Sequence, residues 1–459
     1  MTEYVPTFKP VKKASKTDVN WPSILPFISI LIILARWYYV EKFAVALPFL
    51  DQWDAEWIGL LKPWTEGKLV FSDLWNSHNE HRIFLTRLMT LLGFELTGAW
   101  SNLTETRLNI ILGALTPILL LWLLYKLKAL HGPRWLIAAV IVAGATFPFS
   151  WENMLIGFQN QFYFLNLLSL SALALSVHRP QSIRAMIIVA MFCGLSVLTM
   201  ASGLITPIVV AIVYSVDGYI KKSWSVKSLV IIFILIMIPA TGYLTMPYVA
   251  GHHFLHAQNI TEMVKTTIRI MGWPLTDHKL YIGLLWLPVL IIIPVLLMSR
   301  RFTRCDLLMF GCFIWTGAQV LALAYGRGHE LFEVSSRYTD LLQLGLAGNA
   351  WFVIRAAEIF GQNRKSLMAF RILAIIFFGA LFFSHAQRLP RDIETMKNDR
   401  AIRLIQTKNI QLYLKTRDEK ILKKPRMQIS YPNPEKFKTI LDDPGLLKVL
   451  PESLTAEIR

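Results

Sequence analysis

The stretch from Asp51 to Arg87 holds the residues best suited to chemistry. Asp51, Asp54, Glu56, Asp73, His78, Glu80, His81 and Arg82 fall within it, interleaved with Trp53, Trp57, Trp64 and Trp75. It follows directly on a long apolar segment. Asp51 and Asp54, three apart, would share a helical face with Trp57 and Ile58. Two such carboxylates can act as general base and helper, or supply half of a divalent metal site. A solvated acidic loop is the bland alternative, but the tryptophans favour the membrane interface. In Asn76–Arg82, His78 and His81 are three apart with Glu80 between them. This is not the HExxH pattern of a helical zinc site, and on a helix Glu80 would point away from both imidazoles. The donors His78, His81 and Arg82, with Glu80, better suit a phosphate or a sugar.

Two further groups stand at the ends of apolar segments. Trp151–Glu152–Asn153 and Gln159–Asn160–Gln161 place polar side chains where they are expensive, so either function or interhelical hydrogen bonding retains them. Tyr325–Gly326–Arg327–Gly328–His329 and Ser335–Ser336–Arg337–Tyr338 put two arginines and a histidine on a short loop. Arg327, His329, Arg337 and Tyr338 would suit an anionic ligand such as a lipid phosphate. His252, His253 and His256 are weaker candidates and read as interfacial.

The elements that must position these groups are membrane helices. Of 459 residues, 54% are hydrophobic and only 17% charged, below the quarter usual in soluble domains. Apolar runs long enough to span a bilayer recur along the chain. Eleven segments qualify, roughly 22–40, 107–125, 135–150, 161–177, 185–200, 203–217, 228–247, 281–298, 307–325, 337–354 and 370–386. The expected class is an all-α polytopic membrane protein. With the N-terminal tail 1–21 in the cytoplasm, the connections 126–134, 178–184, 218–227, 299–306 and 355–369 also lie there, and each is basic. The run 185–217 breaks near Ser202–Gly203, because a single span would put two basic loops on opposite faces.

Residues 41–106 then form a long first extracytoplasmic loop with membrane-surface helices, and 107–386 hold the remaining spans. Residues 387–459 form a small extracytoplasmic C-terminal domain, with helical patterns at 392–416 and 434–442. The first apolar segment is followed by Arg36–Trp37–Tyr38–Tyr39, not by a small-residue cleavage site, and reads as an uncleaved span. The formal net charge of +17 orients helices and meets anionic lipid; no motif points to nucleic acid. Cys193, Cys305 and Cys312 read as apolar fillers. No internal repeat is visible.

Carboxylates on the first loop and cations on a late loop would share one membrane face. A carboxylate there can take a proton from an acceptor hydroxyl, while arginine and histidine stabilise a departing phosphate. At this point the chain resembles the GT-C class of integral-membrane glycosyltransferases. Asp51–Gln52–Trp53–Asp54–Ala55–Glu56, Trp64–Thr65–Glu66–Gly67, Ser336–Arg337–Tyr338 and the C-terminal tail carry the likeness. Ser336–Arg337–Tyr338 and the tail also look like bacterial members that decorate O-antigen, lipopolysaccharide or other envelope glycans.

The resemblance implies Asp51 as catalytic base, assisted by Asp54 or Glu56. It implies a polyprenyl-phosphate-linked sugar as donor, its phosphate held by Arg327 and Arg337 with His329 and Tyr338 beside them. Trp53, His78, Glu80, His81, Arg82, Glu152, Gln159 and Asn160 would contact the sugar or a surface-glycan or lipid-linked acceptor. Some members of the class need a divalent cation (Mg or Mn) and others do not. The implied home is a bacterial inner membrane, with the site facing outward. A lipid-linked oligosaccharide polymerase or ligase is the alternative, but its long loop normally lies late. A transporter or flippase would bury charge at mid-membrane and show symmetry between halves. Glycosyl transfer requires Asp51, Arg327 and Arg337 to meet at one cavity.

Overall fold

The computed structural model describes residues 19–274, 279–361, 363–425 and 427–455. Eleven main helices carry the fold: α1 Trp21–Phe43, α2 Asn102–Lys126, α3 Trp135–Thr146, α4 Asn160–His178, α5 Ile183–Val197, α6 Ile205–Lys221, α7 Val226–Leu244, α8 Lys279–Ser299, α9 Arg304–Arg327, α10 Asp340–Phe360 and α11 Arg364–Thr416. No strand is present among the described residues; a single bridge pairs His78 with His81. Among the described residues eight helices, α1, α2, α4, α6, α7, α8, α9 and α11, are long and apolar enough to cross a membrane. The apolar α3 and α5 are shorter.

Helix α10 sits at the centre. It packs against α9, α11, α8, α3 and α4, and Leu346, Ala347, Ala350, Phe352 and Val353 are shut from solvent. Small residues on it let neighbours approach closely, as lipid-embedded packing requires. At its far end the buried Asp306 of α9 accepts from Trp351 Nε1 at 2.8 Å and pairs with Arg355 at 3.2 Å. A carboxylate so buried is tolerable only with such partners.

The chain breaks between α5 and α6 where Gly203 packs against the Ser196 carbonyl; a methyl group there would overlap that oxygen. Only glycine allows this approach. Asn102, at the start of α2, ties three segments together. Its amide donates to the Val45 and Leu155 carbonyls, both at 2.9 Å, and its oxygen accepts from Gly157 N at 2.8 Å. All three cysteines are free and buried.

Helix α11 joins the last apolar run to the helical pattern at 392–416. No break occurs at 386/387: α11 runs as one helix for 53 residues. That is roughly 80 Å, against a hydrocarbon core of roughly 30 Å. The helix continues beyond its apolar part and carries the residues after 416 to the first loop. There a second core forms, around Trp53, Trp57, Trp100, Tyr413 and Phe437. Trp53 meets Trp100 and Phe437 edge-on at 5.2 and 5.1 Å, and Trp57 stacks on Trp100 at 6.1 Å. Burying each such ring stabilises by roughly 2–3 kcal/mol. The first loop and the C-terminal residues are therefore one packed unit.

Candidate functional site

Asp51 is fixed by its neighbours on both sides. Leu50 adopts a left-handed backbone (φ +44), a conformation that costs a side-chain-bearing residue roughly 1–2 kcal/mol. The C-terminal unit holds it there, because Leu50 N donates to Ser430 O at 3.2 Å. Gln52 closes the turn from the other side, accepting from Phe49 N at 2.9 Å. Its amide donates to Glu56 and to Glu105, each at 3.0 Å. Asp51 itself stays open, its side chain 58% exposed.

The segment after Asp51 does not form the α-helix expected of it. Trp53–Leu61 is a π-helix, whose hydrogen bonds span five residues rather than four. Side chains three apart then diverge. Asp54 turns away to the C-terminal unit, where Tyr431 donates to it at 2.8 Å and Lys436 pairs with it at 2.6 Å. Glu56 is buried and accepts from Trp100 Nε1 at 2.9 Å. Burial pushes its carboxyl up to about 7, against the pull of Trp100 and Gln52. Neither residue lines the cavity described below, so neither sits where it could help Asp51. Trp53, wholly buried, is a core ring and not a sugar platform.

His78–His81 is a tight turn, not a helix. His78 N donates to His81 O at 2.8 Å, and His81 N to His78 O at 3.0 Å, with Asn79 left-handed (φ +52). This sends Glu80 outward to another loop. It pairs with His252 Nδ1 at 2.6 Å and lies 3.8 Å from Arg327. Burial alone would raise the Glu80 carboxyl; His81, its own backbone and His252 outweigh that and hold it below the ordinary value. His78 approaches Asp51 at 4.0 Å. Burial lowers the pKa of His78, against the pull of Asp51. Burial takes His81 down to about 4, and its Nδ1 accepts from Ala201 N at 3.1 Å. His81 is thus a neutral imidazole at neutral pH, and the cationic role falls to the arginines.

Arg337 lies in the turn Ser336–Tyr338 between α9 and α10. The Glu152 carboxylate organises this turn, accepting from the Ser335 and Ser336 hydroxyls and from Arg337 N. Asn153 donates to the Arg337 carbonyl at 2.9 Å and to Asp340 at 2.8 Å. The guanidinium lies 5.1 Å from the Tyr338 ring. Burial would weaken its charge, but Tyr338, Glu152 and Asp51 outweigh this and hold its pKa above the ordinary value.

These elements enclose a cavity of about 430 Å³. Asp51, His78, Glu80 and His81 line it from the first loop, and Arg327, Arg337 and Tyr338 from the later segments. Gln159 joins them from the approach to α4. The other expected residues do not. Arg82 clamps two carbonyls, Trp75 at 3.2 Å and Thr245 at 2.7 Å. Asn160 accepts from Thr86 at 2.6 Å inside the packing. His329 faces Glu262 at 3.4 Å, and Glu152 stands behind Arg337. Sequence reasoning passed over Gln319, named Gln161 and Tyr325 only within their motifs without a site role, and read the cavity-lining His256 as interfacial. His256 stacks at 5.1 Å on Tyr325. The three histidines of one loop were the available signal; a lone Gln in the middle of an apolar helix gave a weaker one.

For a metal, the donor set is thin. Among the described residues no three His, Cys, Asp or Glu side chains are grouped to hold an ion. Compared with known proteins, the chain matches no family model, no curated protein and no solved structure.

Proposed function

We propose that this is a membrane glycosyltransferase of GT-C type, moving a sugar from a polyprenyl-phosphate donor to a glycan or lipid-linked acceptor. The observation that carries this reading is the meeting of Asp51, Arg327 and Arg337 at one cavity, from segments far apart in the chain. Asp51 takes the proton of the acceptor hydroxyl as its oxygen attacks the anomeric carbon. The bond from that carbon to the phosphate oxygen breaks, and Arg327 and Arg337 receive the charge on the departing phosphate. Arg327 is available for this, because its contact with Glu80 is long at 3.8 Å. Arg337 is set in place beforehand by the turn that Glu152 holds.

In this proposal all eleven main helices cross the membrane, with the basic connections in the cytoplasm and the cavity opening outward. The protein then belongs to a bacterial inner membrane, its acceptor an O-antigen or other envelope glycan. The test is deletion of the protein followed by mass spectrometry of surface glycans. Loss of one sugar is the expected result. An unchanged glycan profile contradicts the proposal.

A further inference from the structure

The cavity carries uncharged polar groups beside its titratable ones. The titratable groups come from the 51–81 stretch, from His256, from the end of α9 and from the turn before α10. Gln319 stands eight residues before the end of α9, roughly 12 Å deeper along the helix axis. The same lining includes Leu204, Ile205, Leu323 and Leu341, and the uncharged polar side chains Gln161, Ser202 and Gln319. None of these three is hydrogen-bonded or ion-paired to a charged side chain.

These polar groups are unsatisfied. Gln161 is 5% exposed, and its side-chain oxygen has no hydrogen-bond partner among the described residues. Gln319 is 1% exposed. Its Nε2 donates to Ser202 O at 3.1 Å, while its oxygen has no partner. The Ser202 hydroxyl also lacks one. Leaving a buried amide or hydroxyl unpaired costs about 1–3 kcal/mol, so buried polar groups are nearly always paired. Three together beside a cavity point to a ligand that supplies the missing partners.

We infer that Gln161, Ser202 and Gln319 form a subsite for an uncharged, hydroxyl-bearing ring. An amide offers donors and an acceptor, and a hydroxyl answers both. A carboxylate or ammonium on the ring would be desolvated there without a counter-ion, which is strongly unfavourable. On the transferase proposal, on which this inference rests, the ring is the donor sugar. The subsite then selects a neutral sugar over a uronic acid or an amino sugar.

The test uses the full chain in lipid nanodiscs and four synthetic probes. These are a short-chain prenyl phosphate, and the same phosphate bearing glucose, glucuronate or glucosamine. The wild type should bind the glucose probe about tenfold more tightly than the bare phosphate, the scale of one or two hydrogen bonds. The two charged-sugar probes should gain nothing. Gln161→Leu breaks no hydrogen bond within the protein. It should abolish the glucose gain and leave bare-phosphate affinity unchanged, which also reports correct folding. Equal binding of all sugar probes, or a glucose gain that survives Gln161→Leu, overturns the subsite while the phosphate site stands. So does a variant that loses bare-phosphate affinity, since Gln161 is then structural. If the wild type binds no prenyl phosphate, the donor reading and the subsite fall together.

Discussion

The Glu152 carboxylate accepts a hydrogen bond from the backbone N–H of Arg337 at 3.1 Å, across 185 residues of sequence. It also holds the Ser336 hydroxyl at 2.8 Å. One carboxylate thus shapes the turn from which the half-buried Arg337 faces the cavity. Glu152→Ala should leave these donors unpaired and destabilise the protein by about 2 kcal/mol. It should also weaken prenyl-phosphate binding at least tenfold by releasing Arg337. Glu152→Gln keeps an acceptor oxygen and should retain more of both. Thermal unfolding in detergent and phosphate-probe binding check the pair.

Asp54 and Asp51 should behave as different kinds of residue. Asp54 joins the first loop to Tyr431 and Lys436. This pair is partly exposed, so Asp54→Asn should cost about 1 kcal/mol or less. Sugar transfer in cells should stay within about threefold of wild type, a change of under 1 kcal/mol in the barrier. Glycan analysis of cells expressing the variant at equal protein level gives the answer. A loss as deep as that of Asp51→Asn would place Asp54 in the chemistry.

Glu56 and His81 make opposed contributions to the pH dependence of stability. The folded protein raises Glu56 from 4.5 to about 7 through burial. Between those values the folded state binds more protons than the unfolded, so this contribution falls as pH rises, by roughly 3 kcal/mol in all. His81 is lowered from 6.5 to about 4, again by burial. Between those values the unfolded state binds more protons, so its contribution rises with pH. The two slopes offset one another from about pH 4.5 to 6.5. Glu56→Gln mimics the protonated carboxyl and removes one of them. The variant should lose stability on acidification below pH 6.5 more steeply than wild type, and should be the more stable of the two above pH 7. Melting temperatures across pH 4.5–8 read this directly.

Much of the architecture is legible in the sequence because lipid allows few solutions. Each apolar run from 22 to 386 lies on a helix, and even the break near Gly203 follows from loop charge. The meeting of Asp51 with Arg327 and Arg337 at one cavity is foreshadowed by their opposite charges. Finer geometry is not. An α-helical period puts Asp54 beside Asp51, but the π-helix separates them. The tryptophans of the first loop look interfacial, yet Trp53 and Trp57 are core rings, because residues after 416 fold back over them. That partner lies more than 300 residues away, and no local pattern announces it. Arg82 and Asn160 carry binding chemistry by type but are used to hold backbone and helix together.

Asp51 as base is the central claim. The most direct measurement is complementation of a deletion strain with Asp51→Asn, matched to wild type in membrane level, with surface glycans read by mass spectrometry. The substitution keeps the shape and removes the proton acceptor, so the missing sugar should remain missing, at under about 1% of the wild-type level, within the range that loss of a general base imposes. Full restoration of the sugar by Asp51→Asn would contradict the assignment.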